Sequence, residues 1–312
     1  MVSIIIPVYN EKENISPLCK EIVGVMAKLR TAYEILFVND GSTDGTQREL
    51  LALYKKYPNA VSVIEFRRNF GKAAAYDAGF RVAKGDMFIT LDGDGQDDPR
   101  YIGKLLAKLR EGYDMVSGWK QNRKDSAVKN ISSLLFNRVA RTLSSAKLHD
   151  YNCGLKAYRS ETTKTLPLYG ELHRYIPVLL SAQGYKVTEI PVEHRRRMSG
   201  KSKYGPVRFI NGFLDFLTVV SITRFRARPM HLFGYIGSGF FGIGFLFGLY
   251  LTFVKFVMEQ PIGNRPLLLF SVMLMIMGVQ VGITGLVGEY IVHSTSSERD
   301  SYDIKTTVTH EQ

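Results

Sequence analysis

The sequence predicts an α/β fold, a mainly parallel sheet with helices on both faces, followed by an amphipathic helix and two membrane-spanning helices. Three observations predict it. Short β-branched runs alternate with amphipathic stretches from residue 2 to about 118, polar clusters follow these runs, and two long apolar segments lie within the last hundred residues. We therefore expect a first domain at 1–205, an interfacial region at 206–228, a two-helix membrane domain at 229–293 and a tail at 294–312.

Five strands are predicted from short runs that contain apolar and β-branched residues, at 2–7, 34–38, 61–66, 87–91 and 114–118. Between the first two, apolar side chains recur at helical spacing: Ile15, Leu18, Ile22, Val25, Met26 and Leu29. Later intervals repeat this pattern. Strands that alternate with helices form a parallel sheet, and its ligand crevice lies at the carboxyl ends of the strands.

Residues 119–205 are basic and irregular in pattern. We predict helices near 127–146 and 171–183 and a strand near 186–190. The amphipathic segment at 206–224 lies beside Arg224, Arg226 and Arg228, which is typical of a helix at a membrane surface. An ordinary core helix would have the same pattern.

The segments 232–257 and 267–292 carry almost no charge, and each exceeds the roughly 20 residues needed to cross a bilayer. The arginines before the first segment place the first domain in the cytoplasm, and two crossings return the chain there. We expect an integral protein of the plasma membrane with both termini cytoplasmic, because the first residues lack the pattern of a secretory signal. Pairs of glycines four residues apart allow close helix contacts, within the chain or in a homo-oligomer: Gly244 with Gly248, and Gly278 with Gly282.

The chain is basic, with a formal net charge of +12 and a pI near 9.5. This charge favours an anionic partner such as nucleic acid, an acidic membrane surface or a phosphorylated substrate. The apolar segments, and the basic residues that cluster towards them, argue against nucleic acid. Cys19 and Cys153 are too few and too far apart for a disulfide framework or a zinc cluster.

Asp92 and Asp94 follow the strand at 87–91, and the single glycine between them permits a tight turn and the close approach of a phosphate. Two carboxylates at this spacing can share one hard cation, Mg²⁺ or Mn²⁺, that also binds a diphosphate. A calcium-binding loop is excluded, because its sixth position would be Asp97 and its twelfth Gly103. A plain acidic turn remains an alternative.

Three motifs, VSIIIPVYNE at 2–11, VNDGS at 38–42 and DGDGQ at 92–96, resemble those of family 2 glycosyltransferases with the GT-A fold. Further motifs are similar to the polyprenyl-phosphate branch of that family: NFGK at 69–72, DYNCGLKAYR at 150–159 and SGKSKYG at 199–205. That branch includes dolichyl-phosphate mannosyltransferases and undecaprenyl-phosphate glycosyltransferases with two C-terminal spans. The resemblance covers the chain to about residue 294.

The resemblance implies a role for each matching residue. The nucleotide-sugar site would contain Pro7, Tyr9, Glu11, Asp40, Lys72 and Asp92, with the first three lining the base and ribose pocket. Asp92 and Asp94 would hold the metal, Gln96 would lie beside the sugar, and Asp150 would be an acidic residue of the active site. The acceptor phosphate would contact Arg123, Arg195, Arg197, Lys201 and Lys203. Many relatives have His and Pro in place of Asp97 and Asp98, which leaves the sugar open.

The implied reaction is inverting transfer of a hexose, glucose-like and linked to UDP, onto a polyprenyl phosphate. A GDP-mannose donor is the alternative within the branch. A processive polysaccharide synthase is disfavoured, because such enzymes usually carry a Gln-x-x-Arg-Trp signature and the sole tryptophan here is Trp119. A membrane scaffold that binds nucleotide-sugar without turning it over is an alternative of a different class.

Overall fold

The structure, a computed structural model, describes residues 1–121, 137, 140–141, 146–164, 166, 168–193, 195, 218–221, 223 and 228–295. The chain divides into two compact units, Met1–Val219 and Val220–Gln312. Most of the segments predicted at 127–146, 206–224 and 294–312 lie outside the described residues.

The first unit contains a seven-stranded sheet, and the order of its strands is β3-β2-β1-β4-β6-β5-β7. The strands are β1 Val2–Val8, β2 Tyr33–Asn39, β3 Val61–Glu65, β4 Met87–Thr90, β5 Met115–Lys120, β6 Lys156–Arg159 and β7 Val187–Val192. Only β6 is antiparallel to its neighbours, with Thr90 of β4 opposite Lys156. The sheet is thus mainly parallel, as predicted.

Helices cover both faces of this sheet, at α1 Lys12–Leu29, α2 Thr46–Lys56, α3 Lys72–Val82, α4 Ile102–Arg110, α5 Ser160–Thr163 and α6 Ile176–Ala182. One face packs on α1, α2 and α4, because apolar residues at helical spacing such as Ile15 and Ile22 meet Ile4 and Ile6 of β1. On the other face α3 lies so close that a Cβ on Gly79 would be 2.4 Å from the Ile5 side chain. The predicted fold class is confirmed.

The sequence did not predict β6. The segment predicted as a helix near 171–183 is a 3₁₀ turn, Leu172–Tyr175, followed by α6. The strand predicted near 186–190 is β7, which pairs in parallel with β5.

The second unit contains two long apolar helices, α7 Pro229–Phe256 and α8 Pro266–Thr295. Both are long and apolar enough to cross a membrane, and only 11% and 17% of their most apolar windows are buried, unlike core helices of a soluble protein. They pack through glycines, since a Cβ on Gly244 would lie 2.7 Å from the Ser271 carbonyl oxygen. Glu289 of α8 also accepts a hydrogen bond from the backbone N–H of Met230, at 3.0 Å.

Candidate active site

The loops after β1 and β2 are tied together at the carboxyl edge of the sheet. The backbone N–H of Asn10 donates to the Ser42 hydroxyl at 2.9 Å, and the Asn10 side-chain oxygen accepts from the N–H of Thr43 at 2.8 Å. Asn10 has a φ of 55°, a conformation that asparagine tolerates better than most residues. The predicted convergence of polar loops at this edge is therefore present.

Asp40 is 5% exposed and organises the neighbouring loop. Its carboxylate accepts hydrogen bonds from the backbone N–H groups of Phe70, at 2.7 Å, and Gly71, at 3.0 Å. Burial raises the pKa of Asp40, and these two hydrogen bonds oppose the rise. The β2 loop approaches closely here, since a Cβ on Gly41 would lie 2.4 Å from the Arg68 backbone. The expected contact of Asp40 with a nucleoside stays a prediction.

The residues predicted for the base and ribose pocket follow or end β1. Pro7 belongs to β1, and Tyr9 is partly exposed just beyond it. Glu11 precedes α1, where its carboxylate accepts from the Asn14 amide at 2.6 Å and its backbone N–H donates to the Thr46 hydroxyl at 3.0 Å. All three lie at the edge where a nucleotide would bind, and their contacts with it stay predictions.

The loop after β4 alternates between buried and partly exposed residues. Asp92, Asp94 and Gln96 are partly exposed, whereas the two glycines between them are buried. We expected Gly93 to admit a phosphate, but its neighbours are protein atoms, since a Cβ there would lie 2.6 Å from Val8. Gly93 allows the loop to pack against β1, and the carboxylates of Asp92 and Asp94 remain partly exposed.

Lys72, the first residue of α3, contacts the Asp92 carboxylate directly. The Tyr76 hydroxyl lies 3.5 Å from the same oxygen. Burial favours the neutral carboxyl, but the ammonium groups of Lys72, Lys120 and Lys156 outweigh it and hold the pKa of Asp92 well below its usual range. Asp92 is therefore ionised at neutral pH and lies among three lysines.

Asp97 holds the loop after β4 in place through two contacts. Its carboxylate accepts from the backbone N–H of Asp92 at 3.2 Å and lies 3.0 Å from the Lys120 ammonium. Burial alone would lower the pKa of Lys120, but the Asp97 charge raises it well above its usual range. The pair is therefore a buried ion pair that holds the backbone carrying Asp92.

Asp98, fully buried, binds two arginines. Arg100 donates to it at 2.8 Å, and Arg195 lies 2.9 Å from it and 2.7 Å from Glu21 of α1. The backbone N–H of Arg195 also donates to the carbonyl oxygen of Gln96, at 3.1 Å. Arg195 was predicted to bind the acceptor phosphate, and in the structure it links the β4 loop to α1, so the phosphate contact stays a prediction. Arg123, Arg197, Lys201 and Lys203 lie outside the described residues.

Asp150 is 1% exposed and accepts from the backbone N–H of Asn152 at 3.1 Å. Next to it, the ring of His149 stacks on Trp119 with a centroid separation of 4.1 Å, and His149 contacts Glu189 of β7. Its burial and its hydrogen bond hold the Asp150 side chain in place. Asp150 therefore suits the role of a positioning group better than that of an exposed proton acceptor.

Three residues of this region were missed by the sequence analysis: Lys120, Lys156 and His173. Lys120 and Lys156 carry charges that act on Asp92, and His173 packs near Tyr76 with ring centroids 6.2 Å apart. A signal existed for Lys156, because a lysine among the apolar residues at 155–158 departs from the continuous apolar sequence expected of a strand buried on both faces.

The residues present fit a hard divalent cation. Within the described ranges no three His, Cys, Asp or Glu side chains cluster to form a complete metal site. Mg²⁺ and Mn²⁺ are commonly bound by one or two carboxylates and complete their coordination with substrate phosphates and water. Asp92 and Asp94, on the accessible side of their loop, are the donors that this arrangement requires.

Comparisons with known proteins place the chain in a family. The sequence model of Glycosyl transferase family 2 matches residues 3–166. The chain is 36% identical over 296 residues to the dodecaprenyl-phosphate galacturonate synthase of Rhizobium johnstonii, covering 94% of this chain and 88% of that protein. It is 35% identical over 300 residues to the undecaprenyl-phosphate 4-deoxy-4-formamido-L-arabinose transferase of Pseudomonas paraeruginosa, covering 96% of this chain and 87% of that protein.

Two solved structures share the fold of the first unit. Mannosyl-3-phosphoglycerate synthase from Rubrobacter xylanophilus superimposes with a TM-score of 0.57 at 18% identity, covering 72% of this chain and 75% of that one. Glucosyl-3-phosphoglycerate synthase from Mycobacterium tuberculosis, in complex with Mn²⁺ and UDP-glucose, gives a TM-score of 0.52 at 16% identity, covering 72% of this chain and 79% of that one. At such identities these likenesses concern the fold alone.

Proposed function

The chain belongs to glycosyl transferase family 2, and we propose that it transfers a sugar from a nucleoside-diphosphate sugar to a polyprenyl phosphate at a membrane surface. Both curated relatives are named for polyprenyl-phosphate acceptors and match this chain over nearly its whole length. The two apolar helices would hold the protein in the bilayer that contains such a lipid.

One observation carries the proposal: Asp92 and Asp94 lie on the accessible side of a loop at the carboxyl edge of the sheet, and Lys72 contacts Asp92. In parallel α/β sheets this edge is where ligands bind. A diphosphate needs positive charge around it, and the lysines supply part of that charge. When bound, Mg²⁺ or Mn²⁺ neutralises the departing diphosphate.

The reaction that we infer is a single displacement. A lipid phosphate oxygen forms a bond to the anomeric carbon from the face opposite the diphosphate, whose bond to that carbon breaks, so the anomeric configuration inverts. A phosphate monoester is largely ionised at neutral pH because its second pKa is about 6. A strong base is therefore unnecessary, and the buried Asp150 serves to position the reactants.

The donor that we favour is a UDP-linked hexose. The names of the relatives add galacturonate and 4-deoxy-4-formamido-L-arabinose to the sugars that deserve testing. We also infer that the first unit faces the cytoplasm, because three arginines precede α7 in the sequence.

A donor panel tests the proposal. The purified full chain, in vesicles with undecaprenyl phosphate and Mg²⁺ or Mn²⁺, would be incubated separately with UDP-glucose, UDP-galacturonate and GDP-mannose. We expect mass spectrometry of the extracted lipid to find the sugar attached to the lipid monophosphate with one of these donors. Tight binding of a nucleotide-sugar without any lipid product would instead support the scaffold alternative.

A further inference from the structure

Lys156 is buried in the first unit, and the proposed reaction assigns it no role. It is the first residue of β6, paired with Thr90 of β4 and Ser117 of β5, and is 4% exposed. Two residues along the same strand, Tyr158 packs edge-on against Phe80 of α3, with ring centroids 5.6 Å apart. Alternate residues of a strand share a face, so Lys156 projects towards α3, the helix that begins with Lys72.

The three lysines near Asp92 differ in their partners. Lys72 contacts Asp92 itself, and Lys120 lies 3.0 Å from Asp97. Within the part of the chain that the structure describes, Lys156 makes no ion pair and donates no side-chain hydrogen bond. Opposite charges nearby, among them Asp150 and Asp92, act on Lys156 without forming an ion pair with it, so they compensate only in part for its burial.

The surroundings of Lys156 are consistent with a missing anion. Burial, and secondarily the charge of Lys72, lower the pKa of Lys156 to about 8. Close by, the Nδ1 atom of His173 is buried and lacks a hydrogen-bond partner among the described residues. Burial also lowers the pKa of His173 well below its usual value, and the Lys72 and Lys156 charges add to this effect, so the ring is neutral.

We propose that the ammonium of Lys156 binds an anionic oxygen of the bound donor, adding a buried anion site to the loop that carries Asp92 and Asp94. The inference rests on the proposed function, because it presupposes a nucleoside-diphosphate sugar in the crevice. Two parts of a donor offer the required oxygen: the diphosphate, common to every donor, and the carboxylate of an acidic sugar. In either case the ligand provides the direct ion pair that Lys156 lacks among the described residues.

The test compares Lys156→Met, which keeps the length of the side chain and removes its charge, with Lys164→Met, which removes an exposed lysine after α5. Calorimetry on the purified full chain with Mg²⁺ would measure the affinity of wild type and both variants for UDP, UDP-galactose and UDP-galacturonate. We expect Lys156→Met to lose at least tenfold in affinity, as for other hydrogen bonds to charged groups. We expect Lys164→Met to stay within twofold of wild type.

The three ligands separate the two sources of the anion. Equal losses for all three identify the diphosphate, whereas a loss confined to UDP-galacturonate identifies the sugar carboxylate, and both results support the proposal. Affinities within twofold of wild type for all three ligands would overturn it. If wild type binds none of them, nor GDP and GDP-mannose, the proposed function fails together with this inference.

Thermal melting distinguishes a binding role from a structural one. Because Lys156→Met removes a buried charge that has no ion pair among the described residues, the variant without ligand should melt at or above the melting temperature of wild type. Added ligand should raise its melting temperature less than it raises that of wild type. The proposal would be contradicted if Lys156→Met and Lys156→Gln melted at a lower temperature than wild type without ligand, and if ligand raised the melting temperature of both variants as much as that of wild type. Lys156 would then have a structural role in the core.

Discussion

At the scale of single residues, the structure assigns contacts to the two aspartates that follow Gln96. Asp97 joins Lys120 to the backbone of Asp92, and Asp98 joins two arginines. Both are at most 2% exposed and point into the protein. They fix the loop that carries the partly exposed carboxylates of Asp92 and Asp94.

Gly154 provides a test of how closely Asp92 must be positioned. A Cβ at Gly154 would lie 2.4 Å from a carboxylate oxygen of Asp92, so Gly154→Ala must displace either that side chain or its contact with Lys72. We expect kcat/KM for the donor to fall about ten- to a hundredfold, since misplacement by about 1 Å has effects of that size. Steady-state kinetics with the donor found by the panel would measure it.

The matched control is Gly24→Ala in α1, where no atom lies within 4 Å of the added methyl group. This variant should keep wild-type kinetics and gain about 0.5–1 kcal/mol of stability, because alanine favours a helix. Wild-type kinetics in Gly154→Ala would show that the position of Asp92 does not limit the reaction.

At the scale of elements, the regular parts of the sheet were predictable and β6 was not. β1 to β4 are short segments rich in apolar and β-branched residues, and parallel strands buried on both faces read as continuous apolar sequence. β6 has four residues, and two of them are basic. Its place between β4 and β5 depends on contacts distant in sequence, which no local pattern encodes.

The same reason separates the predicted from the missed site residues. Asp92, Asp94 and Gln96 could be predicted because one short loop contains them, and Lys72 because a motif contains it. Two other features arise only when β5 and β6 join the sheet. They are the contact of Lys120 with Asp97 and the burial of Lys156 near Asp92. The role of Arg195 as a link to Glu21 likewise joins residues far apart in sequence.

The contact between α7 and α8 can be tested at its glycines. A Cβ on Gly244 would meet the Ser271 carbonyl at 2.7 Å, and one on Gly278 would meet the Gly237 carbonyl at 2.6 Å. We expect Gly244→Val to destabilise the protein by about 1–3 kcal/mol through overpacking. Thermal unfolding of the full chain in detergent micelles would report a lower melting temperature.

Gly239→Val is the control, because nothing lies within 4 Å of a Cβ on Gly239. It should melt within a few degrees of wild type. If Gly239→Val lowered the melting temperature as much as Gly244→Val, the contact between α7 and α8 would not be the main reason for the glycines. That result would favour the homo-oligomer that the glycine spacing also allows.

At the scale of the whole molecule, the charge and the apolar helices have a common explanation. The net charge of +12 suits a protein that handles a diphosphate and a lipid phosphate beside an acidic membrane surface. Exposed apolar side chains cover most of α7 and α8, and a bilayer would cover them. The proposed donor site on a mainly parallel sheet and an anchor in the membrane would together give the enzyme access to a soluble and a lipid substrate.

The central claim is that the Asp92 and Asp94 loop promotes direct transfer of a sugar to the lipid phosphate. The most direct measurement is the nucleotide released per molecule of glycolipid, in wild type with and without EDTA and in Asp94→Asn. We predict one nucleoside diphosphate per lipid-linked sugar in wild type, and a loss of at least a hundredfold in rate after chelation and in Asp94→Asn, because the leaving diphosphate is no longer neutralised. Release of a nucleoside monophosphate, or a wild-type rate in Asp94→Asn, would contradict the account.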